Sequence, residues 1–290
     1  IRSDGRSRGP LLSNMKQRII TAAVGLALLL IVLLFFNTLI FNAAVSLLAC
    51  MAALEILVSA KYASHKLLTA ACLLFVAAVP FFRMPGFNLF GRITVLVYLV
   101  ILFLFLLAEH ETLRFEQIGV IFTTSILIPF SFSTLLYIRD QFSRDGLFFV
   151  MLVFAGAWFA DAGGYFIGRF FGKHKLAPKI SPHKTVEGAV GGILFNVFFF
   201  LVMGICYAWY MRAVGTPVTV HYLTMGLLAV PTALIGMLGD LSASMIKRQC
   251  GVKDFGTIMP GHGGVMDRFD SVLFVSPFLY VALQFVTLIS

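Results

Sequence analysis

The sequence predicts an all-α, polytopic integral membrane protein with about nine transmembrane helices and a cytoplasmic N-terminus. Of its 290 residues, 60% are hydrophobic and only 12% are charged, and the mean hydropathy of +0.96 is far above that of a typical soluble domain. The apolar residues fall in successive runs close to the roughly 20 residues that a helix needs to cross a bilayer. When successive runs cross the membrane in opposite directions, 17 of the 22 Lys and Arg residues fall on one side of it. Because positively charged loops are held in the cytoplasm, that side is predicted to be cytoplasmic.

The nine candidate spans follow one another along most of the chain, and their boundaries are approximate. They are 20–36, 38–58, 67–82, 93–108, 118–138, 147–168, 188–210, 223–239 and 271–289. An odd number of spans puts the two termini on opposite sides of the membrane. No internal repeat is visible, which weighs against a transporter built from inverted repeats.

The chain divides into three regions by composition. Residues 1–14 are predicted to be a flexible extension or an expression remnant, and 15–140 form N-terminal membrane scaffold helices. Glu55, one of the few acids of that half, is interpreted as part of a solvated loop. Residues 141–290 form a C-terminal membrane region that is predicted to carry the chemistry, with two cytoplasmic loops at 169–187 and 240–270 that could meet.

The net charge of +9 faces the cytoplasm in this topology, where anionic lipid headgroups and nucleotides are found. Nucleic acid is not expected as a partner, because no soluble domain is available to hold it. The four cysteines have no paired spacing, so neither a disulfide framework nor a zinc site is predicted.

Asp161 lies deep in an apolar run, where an ionised carboxylate costs about 2.5–3.5 kcal/mol. On a helix it shares a face with the small residues Gly164 and Gly168, which leaves room for a second helix or a ligand. Lys184 and Glu187 in the following basic loop stand at a helix entrance, where free backbone N–H groups favour an anionic ligand. The alternative interpretation is that Lys184 and the other lysines of this loop only hold the loop on the cytoplasmic side of the membrane.

Carboxylates are concentrated at the ends of the last two spans. On a helix, Asp240, Ser244 and Lys247 form one polar stripe, and Asp267 and Asp270 share a second face. The glycines of "PGHGG" between them let the backbone approach a ligand closely. Three aspartates at one membrane depth suit a hard cation with oxygen ligands, and Mg²⁺ is the natural candidate because it joins carboxylates to phosphates.

The order of these motifs resembles a known family. Ser244-x-x-Lys247-Arg248, Lys253-Asp254, His262-Gly263-Gly264 and Asp267-Arg268-x-Asp270 are similar to the C-terminal signature of phosphatidate cytidylyltransferases, also called CDP-diacylglycerol synthases. The similarity extends upstream through "SPHKTVEG" and "FADAGGYFIGRFFGKHKLAPK" and covers about 155–275.

The resemblance implies transfer of a cytidylyl group from CTP to phosphatidate, giving CDP-diacylglycerol and diphosphate, in phospholipid biosynthesis. It implies Mg²⁺, with a second, monovalent cation left open, a homodimer in many members, and a bacterial inner membrane location with the site facing the cytoplasm. Carried onto this chain, the metal ligands are Asp240, Asp267 and Asp270; the catalytic group is Lys247, Arg248, Lys253, Asp254, His262 and Arg268; and the substrate-binding group is Asp161, Lys175, Lys179, Ser181, Lys184, Glu187 and Ser244.

Three positions depart from the family pattern. Ala243 stands where the family commonly has Glu, and we expect this change to remove an acid from the Asp240 face; Phe255 and Met259 also differ. The alternatives are a transporter or channel with an intramembrane Asp161, a CTP-dependent relative that uses another lipid acceptor, and an inactive relative.

Overall fold

The protein is described here from a computed structural model, which covers residues 9–63, 65–259, 261 and 263–290, without the side chains of 9–19, 22 and 88. Part of the predicted extension, residues 1–8, and the predicted catalytic His262 lie outside the described residues. Within those ranges the architecture is nearly all helical. Its helices are α1 (Gly9–Leu34), α2 (Leu39–Ser59), α3 (Lys66–Ala78), α4 (Asn88–Ala108), α5 (Phe115–Gln141), α6 (Gly146–Phe171), α7 (Val186–Ala213), α8 (Tyr222–Gln249) and α9 (Met266–Ala282).

These helices lie at the positions of the predicted apolar runs. In the described ranges, six of them are long and apolar enough to cross a membrane: α2, α4 from Leu89, α5, α6, α7 and α8. Shorter apolar helical segments cover Ala23–Leu34 and Lys66–Phe81. The structure therefore confirms a nearly all-α fold and shows six candidate spans among the described residues; the predicted nine spans and the cytoplasmic N-terminus are not confirmed.

Three details of the chain path differ from the sequence-based expectation. The second loop is shorter than 240–270, because α8 continues to Gln249 and α9 begins at Met266. The last helix ends at Ala282 instead of 289, and the chain end pairs with the segment before α8, where Val220 bridges Ile289. The first loop contains a short antiparallel hairpin, β1 (Lys175–Ala177) and β2 (Ser181–Thr185), which hydropathy could not reveal.

Helices α6 and α7 pack closely because small residues line their contact. Gly164 lies opposite the carbonyl of Gly188, and a Cβ at Gly192 would stand 2.6 Å from the carbonyl oxygen of Ala160. Side chains at such positions would force the helices apart, so glycine permits the close approach. This confirms that the small-residue face beside Asp161 receives a second helix.

The core lies between α2, α5, α6, α8 and α9, and it holds α9 firmly in place. Val272, Val275 and Leu279 of α9 are almost fully buried. The hydroxyl of Thr134 on α5 lies 2.5 Å from that of Ser276 in the middle of α9. The body of α9 is thus held independently of its first turn.

Candidate active site

A polar cavity of about 680 Å³ opens between α6, the hairpin, the start of α7, α8 and α9. Its polar lining comes from segments that lie far apart in the sequence. Of the predicted site residues, the cavity wall brings together Asp161, Lys175, Lys184, Asp240, Asp267, Arg268 and Asp270. The first loop reaches the C-terminal half of the eighth helix, because Lys184 of β2 forms an ion pair with Asp240 of α8.

Three carboxylates from three helices are close neighbours in this cavity. Asp240 of α8 lies near enough to repel the charges of Asp161 on α6 and Asp270 on α9. The hydroxyl of Ser271 lies 3.1 Å from Asp161 Oδ2 and 3.3 Å from Asp270 Oδ1. Since a hydroxyl donates only one proton, it can satisfy one of these carboxylates at a time.

Cationic side chains face the same carboxylates. The Lys184 ammonium is in direct contact with the carboxylate of Asp240. Lys175 and Arg268 also line the cavity. An ammonium group has three donors, so Lys184 can bind an anionic ligand while it remains beside Asp240.

Asp267 is held more tightly than the other aspartates. Its side chain is only 3% exposed and pairs with Lys247 through an Nζ–Oδ1 distance of 2.8 Å. Its second oxygen accepts hydrogen bonds from the backbone N–H groups of Phe255, at 2.8 Å, and Gly264, at 2.9 Å. Asp267 therefore joins α8, the preceding loop and the start of α9.

Other predicted site residues lie around the cavity instead of in its wall. Ser244 Oγ donates to Asp240 Oδ1 over 3.4 Å, which confirms the polar stripe on α8. Arg248 Nε donates to the hairpin carbonyl of Ile180 over 3.5 Å. Ser181 is half-buried in β2, and Lys179, Lys253 and Asp254 are exposed.

Glu187 organises the first loop in this structure. Its carboxylate accepts a hydrogen bond from the backbone N–H of Lys173 at 3.0 Å and lies 2.6 Å from His174 Nδ1. It stands in the first turn of α7, whose Thr185 hydroxyl accepts the N–H of Gly188. The expected acid at the helix entrance is present, and here it binds the chain's own loop.

The expectation for Ala243 was wrong. Ala243 is 2% exposed and faces a groove lined by α2, α5, α8 and α9, while Asp240 faces the polar cavity on another side of α8. Successive helical residues turn by 100°, so positions three apart do not fully coincide. Phe255, the second departure, is buried, and its ring lies 5.4 Å from Lys247 Nζ.

Two polar residues of this region were missed by sequence reasoning. Ser271 directly follows the Asp267-Arg268-x-Asp270 motif, and that position was its only signal. Glu55 was interpreted as a solvated loop residue, which is wrong: it is 5% exposed within α2. Its carboxylate accepts the backbone N–H groups of Val265, at 2.9 Å, and Met266, at 2.8 Å.

Comparison with known proteins places this arrangement in a family. A family model described as "Cytidylyltransferase family" matches residues 16–286. The chain belongs to the cytidylyltransferase family. It is 35% identical to a phosphatidate cytidylyltransferase of Bacillus subtilis (strain 168) over 283 residues, which is 93% of this chain and 98% of that protein.

Two further relatives match over about half of each chain. A phosphatidate cytidylyltransferase of Haemophilus influenzae is 42% identical over 163 residues, covering 54% of this chain and 54% of its own. One of Staphylococcus saprophyticus is 44% identical over 139 residues, covering 48% of this chain and 50% of its own. The family resemblance inferred from the motifs is confirmed.

Proposed function

We propose that this protein transfers a cytidylyl group from CTP to phosphatidate, producing CDP-diacylglycerol and diphosphate. The observation that supports this most directly is the cavity itself, where four aspartates and the side chains of Lys184, Lys175 and Arg268 converge. Both substrates are phosphate compounds with high negative charge. A site for them needs cations to reduce their mutual repulsion and acids to hold a metal ion.

The proposed reaction is a displacement at phosphorus. A phosphate oxygen of phosphatidate forms a bond to the α-phosphorus of CTP, and the bond from that phosphorus to the oxygen bridging the β-phosphorus breaks. The electron pair leaves with diphosphate. Lys184 and Arg268 are placed to offset the charge of the phosphates, and no general base is required because a phosphate oxygen is already nucleophilic.

The carboxylates fit Mg²⁺, which we propose as the cofactor. Asp240 repels both Asp161 and Asp270, and a divalent cation between such groups would relieve this repulsion. Among the described residues, no group of three or more Asp, Glu, His or Cys side chains is arranged to hold a metal ion. Mg²⁺ commonly uses one or two protein carboxylates together with substrate phosphates and water.

We propose Asp240 and Asp270 as its ligands, with Asp161 beside them. Both oxygens of Asp267 already have partners in Lys247, Phe255 and Gly264, so its support for the metal is through the loop it holds. Bound Mg²⁺ would polarise the substrate phosphates and neutralise the charge of the leaving group.

The location that fits this function is the bacterial inner membrane, with the cavity facing the cytoplasm, where CTP is available. The bias of Lys and Arg toward one side of the predicted topology supports this orientation. Aromatic residues of α6 next to the cavity, Tyr165 and Phe166, are largely exposed, as expected of a wall that faces lipid. A homodimer remains a prediction.

The test is incorporation of CTP labelled at the α-phosphate into lipid by purified protein in mixed micelles with phosphatidate. We expect labelled CDP-diacylglycerol, release of diphosphate, and loss of activity when chelator removes divalent ions. Diacylglycerol, which lacks the phosphate nucleophile, is the matched acceptor control. Asp270→Asn should abolish turnover, whereas Asp140→Asn, which removes an acid outside the cavity, should not.

The outcome also separates the alternatives. If the label enters only another phosphate-bearing lipid, that lipid replaces phosphatidate as the proposed acceptor. Absence of label in every such acceptor would reject the enzyme and favour an inactive relative or an ion pathway through Asp161.

A further inference from the structure

We propose that Glu55, on a helix remote from the cavity wall, is a positioning residue that sets the first turn of α9 and thereby the aspartates of the active site. This inference rests on the proposed function. Glu55 belongs to α2, in the half of the chain that composition assigns to scaffold. It lies 210 residues before Val265 in the sequence.

The contact is a bidentate cap on a helix start. The two carboxylate oxygens of Glu55 accept one hydrogen bond each, from Val265 N and Met266 N. Val265 is the N-cap residue of α9 and Met266 is its first residue, so neither N–H group has an intrahelical acceptor. A negative side chain at this end also interacts favourably with the helix dipole.

The loop before α9 is shaped to admit this carboxylate. A Cβ at either Gly256 or Gly264 would overlap a Glu55 oxygen, so both positions must lack a side chain while Glu55 stays where it is. One helical turn further along α2, buried Ser59 donates to the carbonyl of Phe255 over 3.0 Å. Two side chains of α2 therefore hold the loop at Phe255 and at its junction with α9.

The loop in turn holds the active-site acids. Gly264 and Phe255 donate their N–H groups to Asp267, which pairs with Lys247. Asp270 lies one turn beyond on the same helix. A shift of the first turn would move both acids relative to Asp240 of α8, although the buried body of α9 would stay in place.

Glu55→Gln tests this role with little change in size. Glutamine has one acceptor oxygen, and its amide would oppose the other backbone N–H group. We expect kcat to fall about 10- to 100-fold, the effect of a displacement near 1 Å in a catalytic site. The KM for CTP should change much less, because Lys184 and Lys175 belong to other elements.

Thr134→Val is the matched control. It removes a buried hydrogen bond that also holds α9, at Ser276 in the middle of the helix. If Glu55 were only structural, both variants would lose activity in proportion to their loss of thermal stability. We expect Thr134→Val to keep a normal kcat per folded molecule and Glu55→Gln to lose it.

A spectroscopic readout is independent of turnover. The chain has two tryptophans, and the indole N–H of Trp158 donates to the carbonyl of Arg268 over 3.3 Å, in the first turn of α9. With Trp209 replaced by Phe, the emission of Trp158 reports on that turn. Glu55→Gln should shift this emission to longer wavelength, and Thr134→Val should leave it unchanged.

Should Glu55→Gln fail to fold, Gly256→Ala provides a second route, because its added Cβ displaces the carboxylate without removing the charge. The same drop in kcat and the same shift in Trp158 emission are expected. An unchanged kcat, or a loss that only follows stability, would overturn the positioning role. If wild-type protein makes no CDP-diacylglycerol, the proposed function fails instead, and the Trp158 emission still decides whether Glu55 sets this turn.

Discussion

Replacing Asp267 with Asn is expected to destabilise the protein mainly by leaving the Lys247 ammonium without its partner. The two side chains are 3% and 12% exposed, respectively, and form a direct ion pair. Breaking a buried pair by removing one partner costs about 3–5 kcal/mol, because the remaining charge is uncompensated. Since Lys247 retains slight access to solvent, we expect the lower end of this range, about 3 kcal/mol.

The asparagine amide adds a second conflict. Asp267 accepts from Lys247 on one oxygen and from the N–H groups of Phe255 and Gly264 on the other. Whichever way the amide is oriented, its NH₂ group opposes a donor. Lys247→Met is milder, about 2 kcal/mol, because the carboxylate keeps its two backbone donors.

A double-mutant cycle measures the coupling. The free energy of unfolding of wild type, Lys247→Met, Asp267→Asn and the double variant is determined by SDS titration in mixed micelles. We expect the double variant to lose about 2 kcal/mol less free energy of unfolding than the sum of the two single losses. This coupling is within the range found for residues in contact. The partly exposed pair Arg139–Asp140 is the control cycle, with a coupling below about 1 kcal/mol. Additive losses at Lys247 and Asp267 would refute this account of Asp267.

Three further predictions follow from single contacts. Lys184→Met should lower kcat/KM for CTP at least about 10-fold, since a charge-assisted hydrogen bond contributes about 1.5–3 kcal/mol; unchanged steady-state kinetics would contradict its role. Ala243→Glu should not raise turnover, because position 243 faces the groove and not the cavity, and a gain in kcat would contradict that placement. Gly192→Ala should cost about 1–3 kcal/mol in thermal unfolding, because its Cβ meets the Ala160 carbonyl. Gly25→Ala, where no atom of the described residues lies within 4 Å of the new Cβ, is the control and should not destabilise, because Ala is the better helix former. Equal losses in the two variants would contradict the close packing of Gly192 against Ala160.

Local patterns predicted the helices and part of the site. Apolar runs of about 20 residues give a strong signal for helices that cross a membrane, and their positions agree with the structure. The spacing of Asp240, Ser244 and Lys247 predicted one polar stripe because the helical repeat alone decides it. Asp267 and Asp270, three residues apart, both reach the cavity for the same reason.

Contacts between distant segments could not be predicted in this way. Nothing near Glu55 in the sequence indicates that it caps a helix that begins 211 residues later, at Met266. The hairpin at 175–185 was also missed, because its strands are short and polar and no run of alternating residues marks them. Ala243 was misplaced because the sequence does not determine which neighbours surround each side of α8.

The aspartates differ in their proposed roles because they differ in the number of hydrogen-bond and ion-pair partners that the protein gives them. Asp267 has three partners and almost no exposure, so its charge is already compensated by the protein. Asp161 and Asp270 share the hydroxyl of Ser271 and are repelled by Asp240. Carboxylates that remain incompletely compensated in a cavity gain most from an incoming cation, and they are therefore better suited to a metal than Asp267, although Asp267 belongs to the same sequence motif. We propose that the motif supplies both functions: its first aspartate holds the loop, and its second is placed to hold a metal ion beside the substrate phosphates.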